Sequence, residues 1–357
     1  MASPWQSFRS VRGVRRTEDE YVEIDLGAGP RRLSRWQRHL DLRPVADAVP
    51  VPAEGPVDWS QLDRLPYCAS VHWSGPDRGL GDALAAHPGI TFLSWDDAAG
   101  EAHLPETVRQ LRLFCPLPEL RVEAPELGYQ IDLRMRDAPE AAVPPGLRRV
   151  RRLWLTTGGT VSAAALANLS DLERLRLTFA AAPGSLVDLP ALARHDRLVS
   201  LWLDAAYNLD PAALPDLPAL RHLVLAGTRR TTEAALRERF AGGPVALEIS
   251  GAKSAAWLSA NLDNPFRDWV DVSRPFAEEA CAAYRRAARS AAAATTPEAA
   301  ERALRRLVAD LSAINDAYDL IDTVLREQAW AAYHGLAARL GVPAQPAGAW
   351  FEEERRF

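Results

Sequence analysis

Along the middle of the chain, apolar residues recur as apolar-x-x-apolar-x-apolar. The full copies are Val108-Arg-Gln-Leu111-Arg-Leu113, Val150-Arg-Arg-Leu153-Trp-Leu155, Leu172-Glu-Arg-Leu175-Arg-Leu177, Leu198-Val-Ser-Leu201-Trp-Leu203 and Leu220-Arg-His-Leu223-Val-Leu225. Gly128-Tyr-Gln-Ile131-Asp-Leu133 and Pro244-Val-Ala-Leu247-Glu-Ile249 lack only the first apolar residue. The central positions 111, 131, 153, 175, 201, 223 and 247 lie 20 to 26 residues apart, and Val71 and Ile90 extend the series upstream. Successive side chains of a strand point to opposite faces, so each apolar pair enters a core and the residue between them faces out. Intervening segments such as Val161–Leu169 and Thr232–Leu236 have the spacing and propensity of short helices. One such repeat cannot bury its own face, so neighbours stack and their strands form a parallel sheet.

The ends break this period. Tyr21–Leu26 alternates as a strand, Leu33–Leu42 predicts a short amphipathic helix, Pro44–Pro56 is a Pro/Val/Ala linker, and the first fifteen residues are expected to be mobile. After Gly251, Trp257, Leu258, Leu262, Phe266 and Trp269 read as an apolar end plug. Thr295-Thr296-Pro297-Glu298 has the hydroxyl, proline and acid that begin a helix, with Thr295 as the capping residue. Leu304, Leu307, Leu311, Ile314, Tyr318, Ile321 and Leu325 then form one continuous stripe, expected to pack on a helix from Phe276 to Ala294 as an antiparallel hairpin. The expected organisation is a cap and linker over 1–57, a repeat array over 58–262 and a helical module over 263–357.

Leu223-Val-Leu225-Ala-Gly227-Thr228 and the following Thr231-Thr232-Glu233 resemble the Leu-x-Leu-x-Gly-Thr turn of bacterial leucine-rich-repeat proteins, a resemblance that runs from about Asp58 to Gly251. It implies an α/β solenoid of parallel strands with short convex-side helices, whose concave face is a recognition surface for partners that differ across the family. The family's Asn, five residues after the central Leu, is replaced by Pro116, Arg136, Gly158, Ala180, Ala206, Thr228 and Ala252. Its hydrogen-bonded ladder is therefore absent, and irregular turns are expected.

Composition narrows the function classes. The chain of 357 residues is 48% hydrophobic, and its 27 prolines and 21 glycines suit many short elements joined by turns. A net charge of -5 disfavours nucleic acid, although Arg15–Arg16, Arg31–Arg32 and Arg151–Arg152 supply local positive charge. Cys68, Cys115 and Cys281 are too few and too widely spaced for a disulfide framework or a zinc knuckle. The sequence shows neither a signal peptide nor a membrane span, which points to a reducing cytoplasm. The seven histidines have no metal-ligand spacing, Gly158-Gly159-Thr160 lacks the lysine of a phosphate loop, and Gly-x-Ser-x-Gly does not occur. No catalytic residue, cofactor or metal is expected.

The outward residues of successive repeats read Arg112, Asp132, Trp154, Arg176, Trp202, Val224 and Glu248, which places Arg176 between two indoles. Aromatic and arginine clusters are enriched at binding hot spots. With Arg109, Arg134, Arg151, Arg152, Arg174 and Arg221 around it, this patch favours an acidic or aromatic protein partner. The competing reading is that the C-terminal helices or an N-terminal segment cover the tryptophans, with Arg176 in an ordinary cation–π contact. On the C-terminal helix Asn315, Asp319, Asp322 and Arg326 are spaced to share one face, a structural network or a second docking surface. Three functions follow: a non-catalytic scaffold, including an immunity or regulatory protein that occludes one effector; a hydrolase-like enzyme using Asp319, Asp322 and Glu327 between the solenoid and the helices; or self-assembly through end surfaces.

Overall fold

The computed structural model describes residues 20–137 and 142–357; the expected mobile start and the Arg15–Arg16 pair lie outside them. The chain is α/β and forms two compact units. The first runs to Thr156 and adds Ser162–Leu175 and Ala191–Leu198; the second comprises Thr157–Val161, Arg176–Pro190 and Val199–Phe357.

The first unit opens with β1 (Tyr21–Ile24) and β2 (Arg31–Ser34), an antiparallel pair. The turn between them is held by the Asp25 carboxylate, which accepts from the backbone N–H groups of Gly27 and Gly29, both at positive φ. This hairpin, together with β3 (His39–Asp41), replaces the helix expected over Leu33–Leu42. Pairing explains the change, since Leu40 lies beside Val71 in a parallel ladder and is buried there, a tertiary gain that outweighs weak local periodicity.

The remaining strands are β4 (Ser70–Pro76), β5 (Phe92–Ala99), β6 (Glu101–His103), β7 (Gln110–Phe114), β8 (Arg121–Glu123), β9 (Asp132–Arg136) and β10 (Arg152–Thr157). The order β3-β4-β5-β7-β9-β10 builds one sheet with parallel ladders throughout, and β6 pairs with β8 separately. Val71, Leu93, Leu111, Leu133 and Leu153 align across it, and all are buried. Two registers are thereby corrected. Leu133, not Ile131, is the central residue of its repeat, so Arg134 rather than Asp132 stands between the core pair. Leu93, not Ile90, is central in the repeat before, and Ile90 takes the leading apolar place that Val108 takes before Leu111.

The helical connections are shorter than expected. Helix α1 (Leu80–Ala86) is α-helical, but Pro125–Gly128, Pro145–Leu147 and Ala163–Leu166 are single 3-10 turns. At Gly146 a Cβ would lie 1.6 Å from the Val122 carbonyl oxygen, so only glycine lets this turn sit against β8. Main-chain bonds stand in for the missing Asn ladder: Cys115 N–H donates to the Arg136 carbonyl at 2.9 Å and Asp137 N–H to that of Thr156 at 3.0 Å. Both donors sit in the left-handed region, at φ 46° and 54°.

Of the strands that lie wholly or mostly in the second unit, β11 (Thr160–Ser162) pairs with β13 (Ser185–Val187), and β12 (Arg174–Phe179), β14 (Ser200–Asp204), β15 (His222–Arg229) and β16 (Ala246–Lys253) follow in that order within their sheet. Leu201 and Leu203 lie beside Leu223 and Leu225, all four fully buried. Helix α2 (Arg230–Arg239) fills the place expected for a helix at Thr232–Leu236. Then come α3 (Ala255–Asn261), α4 (Arg274–Ala292), α5 (Pro297–Tyr318), α6 (Thr323–Arg339) and α7 (Ala344–Glu354). Helices α4 to α7 share a core of Phe276, Leu304, Leu307, Leu311, Tyr333 and Phe351, onto which the plug residues Trp257, Phe266 and Trp269 are packed. Asn264 explains its motif: its side chain donates to the Cys281 carbonyl and accepts from Phe266 N–H, pinning the plug to α4. Thr296, one residue later than expected, caps α5 by accepting from Ala299 N–H. Among the described residues, no helix is long and apolar enough to cross a membrane, and no group of three or more His, Cys, Asp or Glu is placed to hold a metal ion.

Candidate partner-binding face

Each strand buries its paired apolar residues and thereby directs the residue between them outward. In the first unit this yields a row of register partners: Asp41, His72, Ser94, Arg112, Arg134 and Trp154. Its first part is internally neutralised. Asp41 pairs with Arg43 at 2.8 Å, Arg43 reaches Asp96 at 3.8 Å, and Asp96 meets His72 Nε2 at 2.9 Å. The Arg43 guanidinium, hydrogen-bonded to Asp41, holds that carboxyl below its ordinary range.

Farther along the row, charge gives way to stacking. The Arg112 guanidinium lies 4.8 Å from the Phe92 ring centroid, and that of Arg134 lies 3.5 Å from the Trp154 ring. Trp154 remains 40% exposed. Arg152, one strand position before Leu153, pairs with Asp132 at 2.9 Å across the ladder. Arg151 points elsewhere and stacks on Tyr129 at 4.8 Å.

The second unit carries an independent cluster. Arg176 stacks on Trp202 with its guanidinium 4.2 Å from the ring, and Trp202 is 36% exposed. Asp204, two residues beyond Trp202, organises both. Its Oδ2 accepts from Arg176 Nε at 3.0 Å, Arg176 Nη2 at 2.8 Å and Thr178 Oγ1 at 2.9 Å, while its Oδ1 accepts from the Trp202 indole N–H. The expectation that Arg176 serves two indoles is thus replaced by two clamps, Arg134 on Trp154 and Arg176 on Trp202. Because Arg176 is already paired with Asp204, its charge is largely spent within the chain. Val224 and Glu248 continue the row beside Trp202, and Arg221 turns back to donate to the Leu220 and Pro218 carbonyls.

Asp204, Thr178 and Phe92 were not singled out from the sequence. A usable signal existed for Asp204, since i and i+2 residues of one strand share a face. The C-terminal group is rearranged more deeply. Helix α5 ends at Tyr318, Asp319 adopts φ 53°, and Asp322 caps α6 by accepting from Leu325 N–H. Asn315 accepts from Ile321 N–H in the same turn. Asn315, Asp319, Asp322 and Arg326 therefore do not share one helical face. A left-handed residue breaks the period between them.

No family model matches the chain, and no curated protein matches it. Among solved structures it is similar to an internalin from Listeria monocytogenes at 17% identity, over 55% of this chain and 64% of that one, with a TM-score of 0.28. That likeness is too low to carry the fold, which rests on the ladders and buried leucines described above.

Proposed function

We propose that this chain is a leucine-rich-repeat interaction scaffold that holds a protein partner against the open faces of its strands and performs no chemistry itself. One observation carries the reading: two indoles, Trp154 and Trp202, stay exposed while each is clamped by an arginine on a strand whose core leucines are fully buried. A large aromatic left in water is a standing cost, and clamping it in one orientation reduces the entropy lost when a partner covers it. Rigid aromatic anchors of this kind dominate binding energy at protein interfaces. The enzyme alternative loses its best candidate acid, because the Asp322 carboxylate is engaged as a helix cap. Within the scaffold class, a bacterial cytoplasmic immunity or regulatory protein that occludes one effector fits a recognition face without attached chemistry.

The test is affinity capture from the native host followed by identification of the retained protein. Wild type retains a defined partner, and the triple variant Trp154→Ala, Arg176→Ala, Trp202→Ala loses it while keeping a wild-type circular dichroism spectrum. Trp36→Ala, which removes an exposed indole from the connection between β2 and β3 rather than from a strand, leaves capture unchanged. Equal capture by the triple variant overturns the proposal.

A further inference from the structure

Apart from the strand faces, we infer that the C-terminal helices carry a small-molecule site for a free aromatic amino acid. The site is a cleft of about 350 Å³ between α6 and α7, lined by Arg326, Glu327, Trp330, Phe351, Glu352 and Arg355, and clefts of this size hold small ligands. Helical spacing builds one wall. Arg326 lies four residues and Glu327 three residues before Trp330 on α6, so each is a surface neighbour of the indole. Helix α7 supplies the other wall, with the buried Phe351 ring set edge to face against Trp330 at 4.9 Å. Trp330 also meets the His334 ring at 4.1 Å. The indole is therefore held by two rings of the chain and still stays 38% exposed. An aromatic ring laid against its open part gains contact with a side chain that is already ordered.

The charges at the cleft specify the rest of the ligand. Glu352 is committed to Arg355, whose guanidinium also donates to the Phe357 carbonyl at 2.8 Å. Arg326 and Glu327 are uncommitted: among the described residues neither side chain forms an ion pair or a hydrogen bond, with the other or with any neighbour. Being adjacent in sequence, they do not face each other across the helix surface, and Trp330 projects between them. A guanidinium and a carboxylate thus border one indole without neutralising each other. A carboxylate bonds the Arg326 fork and an ammonium bonds Glu327. An aromatic amino acid carries both charges at one end and a ring at the other. An aromatic acid without the amine leaves Glu327 beside its own negative charge, and a residue inside a peptide offers neither charge.

Calorimetric titrations of phenylalanine, leucine, N-acetylphenylalanine and phenylalaninamide into the full chain test the site. Phenylalanine is expected to bind, leucine to bind more weakly for want of the ring, and the two analogues that lack the ammonium or the carboxylate to lose about tenfold or more. Arg326→Gln weakens phenylalanine about tenfold and leaves phenylalaninamide as in wild type, whereas Glu327→Gln weakens phenylalanine and leaves N-acetylphenylalanine as in wild type. A general loosening of the helices weakens every ligand alike and does not produce this crossed pattern. The inference is overturned by absent phenylalanine binding at millimolar ligand, by leucine binding as tightly, or by wild-type phenylalanine affinity in either charge variant. N-acetylphenylalanine binding as tightly as phenylalanine overturns it in favour of a peptide C-terminus. The triple variant Trp154→Ala, Arg176→Ala, Trp202→Ala keeps phenylalanine binding, so failure of the strand-face proposal and failure of this one are read separately.

Discussion

Asp204→Ala removes the acceptor on which the second cluster turns. The Asp204 side chain is 15% exposed and that of Arg176 38%, so water replaces part of what the carboxylate gave. An ion pair at that exposure contributes about 0.5–1 kcal/mol. The Thr178 hydroxyl and the Trp202 indole each lose a bond of roughly 0.5–1 kcal/mol, for a total near 2 kcal/mol. Urea denaturation followed by far-ultraviolet circular dichroism measures this loss, and a double-mutant cycle with Arg176→Ala isolates a coupling of about 0.5–1 kcal/mol. Asp204→Asn, which keeps a carbonyl acceptor but loses the charge, falls between. Since Trp202 is no longer oriented, partner retention weakens in the same variants. An Asp204→Ala chain within about 0.3 kcal/mol of wild type, or a cycle with no coupling, would refute the hub.

Lys253 is the only lysine of the chain, and its side chain is 2% exposed, paired with Asp271 and 3.5 Å from Asp268. Those carboxylates are about half exposed, so Lys253→Ala costs about 1–2 kcal/mol rather than the full penalty of a buried pair, as read from the urea midpoint; amine acylation of Lys253 proceeds only as the chain opens. His195 donates from Nδ1 to the Leu169 carbonyl and leaves Nε2 buried without a partner, and burial holds its pKa, like that of His334, below the ordinary value. The folded state therefore binds fewer protons, so this stability is complete above the unfolded pKa near 6.5 and is lost as pH falls below it; denaturation at stepped pH shows the decline, and His195→Gln flattens it. Gly146→Ala drives a methyl into the Val122 carbonyl and lowers stability by about 2–3 kcal/mol or more, which calorimetry of the variant detects.

The repeat was legible because Leu-x-Leu alternation sets both the buried pair and the outward residue, and Trp154, Arg176 and Trp202 accordingly lie where their spacing put them. The register slipped where alternation runs longer than a pair. In Ile131-Asp-Leu133-Arg-Met135 all three apolar residues are buried, and only the pairing of Leu133 with Leu111 and Leu153 decides which is central. Leu33–Leu42 misled for a related reason, since its apolar spacing suits a weak helix while two glycines at positive φ fold the preceding chain back as a hairpin. The stripe from Leu304 to Leu325 kept helical spacing across Asp319, so the break into α5 and α6 left no mark in the apolar pattern. Helix α6 buries Ala329, Ala332, Tyr333, Leu336 and Ala337 along one face, but three of the five are alanines and the apolar Val324 and Trp330 are exposed on the same helix, so the apolar pattern of the sequence does not single that face out.

Hydrogen–deuterium exchange on the chain, free and with its captured partner, locates the surface that the partner covers. New protection is expected over Gln110–Phe114, Asp132–Arg136, Arg152–Thr157 and Ser200–Asp204, the strands that carry Arg112, Arg134, Trp154 and Trp202. Protection confined to α4 through α7, with those four strands exchanging as in the free chain, would contradict it.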